Sequence, residues 1–127
     1  MNSMITDHDH IAFIGGGNMA SAIIGGLLKQ GLPASQIQIV EPWAEQRSKL
    51  AADFGITAQA HPGAALTTAA LVVWAVKPQT VKEAAQQAGP HTGRALHLSV
   101  AAGITSSSIA RWLATERVVR AMPNTPA

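Results

Sequence analysis

The passage Ile11-Ala12-Phe13-Ile14-Gly15-Gly16-Gly17-Asn18-Met19-Ala20 restricts this chain more than any other. A short apolar run stops at Gly15-x-Gly17-x-x-Ala20, and helix-forming residues follow at once. A parallel strand turning sharply into a helix needs small residues there, and this spacing supplies them. Gly15 lets the chain leave the strand. Gly17 has no Cβ, so a pyrophosphate can approach the backbone. Ala20 lets the helix lie close to the strand. The first N–H groups of the helix and the positive end of its dipole then face an anion. The motif alone is common. Its context strengthens it, because Ile11–Ile14 reads as a buried strand and an acidic residue, Glu41, ends the next one.

A chain of 127 residues suits one domain with a real core. Apolar residues make up 47% and charged residues 13%, which excludes a disordered chain. Nine Lys and Arg stand against seven Asp and Glu, scattered along the chain and with few aromatics, so nothing here reads as a nucleic-acid surface. The absence of cysteine removes disulfides, thiol catalysis and zinc–thiolate sites, and is compatible with a cytoplasmic protein. No apolar run reaches the ~18 residues of a membrane span. Residues 1–10 lack the basic and apolar regions of a signal peptide and read as a flexible leader to a domain over 11–127. Asp7-His8-Asp9-His10 has metal-ligand chemistry, but at a terminus it reads as a solvated leader.

Strand and helix signals alternate along the rest of the chain. Strands are expected at Ile11–Ile14, Ile37–Val40, Ile56–Ala58, Leu71–Val76, Ala95–Val100 and Arg117–Ala121. Helices are expected at Asn18–Gln30, with Met19, Ile23 and Leu27 on one face, and at Ala44–Phe54, with Leu50 and Phe54 facing inward. Pro62–Thr68, Gln79–Ala88 and Ser106–Leu113 are further helical segments. Gly31 is placed to end the first helix in a left-handed conformation, and Gly55 to stop the second. Leu71–Val76 is apolar on both faces, as a central parallel strand must be. Strands alternating with helices imply a doubly wound parallel sheet of the α/β class, the Rossmann fold. The chain stops in Met122-Pro123-Asn124-Thr125-Pro126-Ala127, which reads as a loop leading into a further domain.

In such a sheet, ligands bind beyond the carboxyl ends of the strands. Gly15–Ala20, Glu41–Trp43, Lys77–Pro78, Ala101–Gly103 and the loop at Met122–Pro126 should therefore line one crevice. Pro78 holds Lys77 extended, so Lys77 either meets a phosphate or carboxylate or simply caps the strand. Small Ala101-Ala102-Gly103 suits a flat ring or tight packing. Trp43, Trp74 and Trp112 read as structural, with Trp43, beside the adenosine position, the one of the three that could instead stack on a ring. His61, His91 and His97 show no metal-ligand spacing, and His97 reads as a satisfied sheet residue. No catalytic acid, base or nucleophile and no metal site stands out.

Four segments together carry a more specific signal. Phe13–Ala20, Ala75-Val76-Lys77-Pro78, Ser99-Val100-Ala101-Ala102-Gly103-Ile104 and Arg120–Ala127 occur in this order, and the chain resembles the pyrroline-5-carboxylate reductases over nearly all of its length after residue 10. The resemblance implies hydride transfer from NAD(P)H to the ring imine of 1-pyrroline-5-carboxylate, giving L-proline. It implies cofactor contacts at Ile14, Gly15, Gly16, Gly17, Asn18 and Met19, at Ala75, Val76, Lys77 and Pro78, and at Val100, Ala101 and Ala102. Asn124 would lie near the nicotinamide. The family's C-terminal helical domain, which builds the homo-oligomer and most of the substrate pocket, is absent from this chain, so the chain alone is expected to bind cofactor without turnover. Glu41 departs from the family pattern. The family points to NADP, but a carboxylate suits the ribose hydroxyls of NAD and repels a 2′-phosphate, with Arg47 six residues on as a counter-candidate for that phosphate. Readings from other classes are a stand-alone nucleotide-sensing module and another imine or β-hydroxyacid-type reductase.

Overall fold

The computed structural model describes residues 10–76, 78–91, 95–99 and 118–120. Strands β1 (His10–Ile14), β2 (Ile37–Val40), β3 (Ala69–Trp74), β4 (Leu96–Ser99) and β5 (Val118–Arg120) form one sheet in the order β2-β1-β3-β4-β5. All four pairings are parallel. Helices α1 (Asn18–Lys29), α2 (Ala44–Phe54) and α3 (Pro78–Ala88) connect them, with short 3₁₀ turns at Ala34–Gln36, Ala64–Thr68 and Gly89–His91.

The period-two alternation of the central strands explains the layering. Ile11 and Phe13 of β1 pack with Ala20 and Ile24 of α1, Leu50 of α2, and Ile39 and Val73 on one face of the sheet. Ala12 and Ile14 pack with Ala85 and Ala88 of α3, Val72, Trp74 and Leu66 on the other. The helices thus cover both faces, which is the doubly wound arrangement. Phe13, Ile24 and Leu50 are at most 1% exposed, and each contributes roughly 1.5–3 kcal/mol by leaving water. Within the sheet, Trp74 donates its indole N–H to Nδ1 of His97 across 3.0 Å, so both rings are structural.

The expected third strand, Ile56–Ala58, is not a strand. The chain leaves α2 through left-handed Gly55 (φ +69°) and meets β2 only at its carboxyl end. There Gln59 N–H donates to Ile39 C=O (2.8 Å) and Glu41 N–H to Gln59 C=O (2.7 Å). Pro62, which has no N–H, follows three residues later and ends any extension of this ladder. Counted as a vestigial strand, the segment completes the order 3-2-1-4-5-6 of dinucleotide-binding sheets.

Other boundaries differ in smaller ways. β3 starts at Ala69 and stops at Trp74, so Ala75 and Val76 lie in the loop beyond it; α3 begins at Pro78, whose missing N–H costs nothing in a first turn. The helical signal after Pro62 is only a 3₁₀ turn, started by Leu66 N–H bonding Gly63 C=O at 3.0 Å. β4 starts at Leu96, with Ala95 just before it. α1 buries Ala20 and Ile24, whereas Met19 is 41% exposed and does not belong to its inner face. The leader before His10 and the helix expected at Ser106–Leu113 lie outside the described residues.

Candidate functional site

The chain passes from β1 to β2 on one side of β1 and then crosses to β3 on the other. The carboxyl ends of β1 and β3 therefore bound a crevice at the point where strand order reverses. The turn after Ile14 sits in it. Gly15 has φ +101°, and a Cβ there would stand 2.8 Å from the Ala75 carbonyl oxygen and 2.9 Å from a Val76 methyl. Ala75 N–H in turn donates to Ile14 C=O at 2.9 Å. Gly16 is equally confined: a Cβ would meet Leu50 Cδ1 at 2.6 Å and Ile39 Cγ2 at 3.3 Å. At Gly17 the surroundings change, because a Cβ would meet nothing within 4 Å among the described residues. Gly17 is also the N-cap of α1, which has no side-chain cap and no acidic residue in its first turn. Asn18 and Met19 are exposed and Ala20 is buried. The positive end of α1 is thus open, as an anion site requires.

Glu41, just past β2, holds this turn. Its Oε1 accepts from Gly16 N–H (3.0 Å) and its Oε2 from Trp43 N–H (3.0 Å). Gln46 Nε2 of α2 donates to Gly16 C=O at 2.6 Å. Arg47 does not reach toward the site: its guanidinium donates to the carbonyls of Glu41 (2.9 Å) and Pro42 (2.7 Å), two bonds that cap the bend after β2. Trp43 is 74% exposed at the rim.

Beside the turn lies a mostly apolar cleft of about 290 Å³, lined by Ile14, Val40 and Pro42 on one side and by His61, Val76, Glu83 and Gln87 on the other. Sequence reasoning missed His61, Glu83 and Gln87. Their only signal was positional, since the loop after the vestigial strand and α3 must both border a crevice at the strand ends. Among the expected contacts, the structure brings Ile14, Gly15, Gly16, Gly17, Glu41, Ala75 and Val76 together. Pro78 opens α3, while Lys77, Val100, Ala101, Ala102 and Asn124 lie outside the described residues. Among the described residues, no group of three or more His, Cys, Asp or Glu is placed to hold a metal, and no helix is long and apolar enough to cross a membrane.

Residues 10–103 match a family model described as NADP oxidoreductase, coenzyme F420-dependent. The chain is 49% identical over 119 residues to a pyrroline-5-carboxylate reductase of Pseudomonas aeruginosa, covering 92% of this chain and 44% of that protein. It is 43% identical over 123 residues to the enzyme of the same name from Vibrio alginolyticus, covering 94% of this chain and 45% of that protein. The chain thus spans under half the length of these relatives. Among solved structures, a pyrroline-5-carboxylate reductase from Coxiella burnetii superposes with a TM-score of 0.84 at 33% identity, over 94% of this chain and 46% of the other. A prephenate dehydrogenase from A. aeolicus, at a TM-score of 0.80 and 16% identity, shares the fold.

Proposed function

Because this chain belongs to the family of NADP oxidoreductases described as coenzyme F420-dependent, we propose that it is the nicotinamide-dinucleotide-binding domain, residues 11–127, of a pyrroline-5-carboxylate reductase. The observation that carries this is the contrast along the glycine turn: Cβ atoms on Gly15 and Gly16 would clash, while one on Gly17 meets no described residue, at a helix N-terminus with no side-chain cap among the described residues. That is a cradle of the size and polarity a pyrophosphate needs. Glu41 and the apolar cleft bounded by Pro42, Val76 and His61 lie next to it, where an adenosine fits.

A nicotinamide dinucleotide held by these residues would supply, in its reduced form, the hydride for the imine carbon of 1-pyrroline-5-carboxylate. The chain's own residues hold and orient. The Gly15–Met19 turn fixes the phosphates, and Ala75-Val76 with Lys77-Pro78 flank the dinucleotide. By resemblance to the family, Val100–Ala102 and Asn124 would serve the nicotinamide side. An iminium accepts hydride readily, so positioning supplies most of the rate, and the scarcity of acids and bases here agrees with that. Backbone amides fix the Glu41 carboxylate in place, and its negative charge and remaining lone pairs favour ribose hydroxyls over a 2′-phosphate and hence NADH over NADPH. The complete enzyme is read as a cytoplasmic homo-oligomer whose helical part supplies the substrate pocket.

The test pairs binding with turnover. This chain should bind NADH and NADPH in calorimetry and leave 1-pyrroline-5-carboxylate unreduced, while the complete gene product should oxidise NAD(P)H with it. Failure of the chain to bind either dinucleotide overturns the reading, and so does failure of the complete product to make proline.

A further inference from the structure

We propose that Gln46 is a positioning residue that aims the Gly17 N–H at the pyrophosphate, an inference that rests on the dinucleotide-binding reading above. Gln46 lies on α2, away from the turn in sequence. Its side-chain amide nonetheless donates to the Gly16 carbonyl at 2.6 Å, a part-buried contact. The peptide linking Gly16 to Gly17 is planar and trans, so its C=O and N–H point in opposite directions. Drawing the Gly16 oxygen toward α2 therefore turns the Gly17 N–H away from α2. The same glycine is held on its other side, because Gly16 N–H donates to Glu41 Oε1 at 3.0 Å. With both polar groups of Gly16 engaged by side chains from the β2–α2 unit, the peptide cannot flip without breaking a bond. Glycine has no side chain to restrain it and visits many conformations, so an external tie is what such a run needs. The N–H is thus oriented before the ligand arrives, and binding is spared the cost of ordering it.

The test is Gln46→Met, which keeps the length and loses the donor, compared with wild type on three ligands: NADH, ADP and adenosine. Amide chemical-shift titration of the ¹⁵N-labelled chain measures all three, including weak binding. The positioning role predicts roughly tenfold weaker binding of NADH and ADP, since a bond to a charged group is misdirected, with adenosine changed less than twofold. It also predicts a smaller ADP-induced shift of the Gly17 amide. NADH and ADP affinities within twofold of wild type overturn the proposal, as does an equal loss for adenosine, which would mark Gln46 as merely structural. If Gln46→Met does not fold, Gln46→Asn, one carbon too short to reach Gly16, makes the same comparison. A wild-type chain that binds neither NADH nor ADP overturns instead the reading on which the proposal rests.

Discussion

Gly15 and Gly17 are two residues apart and look interchangeable in the sequence, yet they face opposite conditions. Around Gly15 every direction is occupied: backbone of Ala75, a methyl of Val76 and a positive φ that side chains avoid. A Cβ on Gly17 would meet nothing within 4 Å among the described residues. The first glycine is required by the protein's own packing, whereas no packing among the described residues requires the second.

The widest separation between the two sites should appear in folding. Gly15→Ala forces a side chain into positive φ and against a carbonyl, which should cost about 2–4 kcal/mol of stability, measured by urea unfolding. Gly17→Val should leave stability within about 1 kcal/mol yet weaken NADH binding about a hundredfold, or ~2.7 kcal/mol, by calorimetry. Similar stability losses at both positions would erase the distinction between them. Glu41→Ser should shift the ratio of NADPH to NADH affinity toward NADPH by on the order of 1–2 kcal/mol, because a like-charge contact is relieved. An unchanged ratio would place the choice of cofactor elsewhere. Trp43→Ala should be the mildest, with stability within about 0.5 kcal/mol of wild type, since the indole is 74% exposed.

Much of the scaffold was legible because its signals are local. β2 and α2 run over the residues their apolar spacing indicates, and Gly55 stops α2 as expected, in a left-handed conformation. The vestigial strand was not legible. Ile56 and Ala58 are buried and Thr57 and Gln59 exposed, which is the alternation of a strand. Whether such a segment pairs depends on how the chain leaves α2, and periodicity does not encode that. At the site, the glycines and Glu41 announce themselves by residue type. The roles of Gln46 and Arg47 do not, because a glutamine and an arginine on a polar helix face read as solvated until a loop carbonyl is found beside them. His61, Glu83 and Gln87 come to one cleft only through the crossover between β2 and β3.

The order β2-β1-β3-β4-β5 also sets a timetable. β1 is made first but sits inside the sheet, and its partner on one side, β3, arrives about sixty residues later, as the register of Phe13 with Val73 requires. No hairpin can protect it in the meantime, because every ladder is parallel. Closing so long a loop before any contact rewards it makes folding slow. An apolar strand, Ile11–Ile14, stays half-paired throughout synthesis of the middle of the chain. The glycine turn that follows it is tied first to β2 and α2, through Val40, Glu41 and Gln46, and is closed when Ala75 packs against Gly15. The finished turn is therefore a late property of the nascent chain, gained when the third strand docks and not when the motif itself emerges.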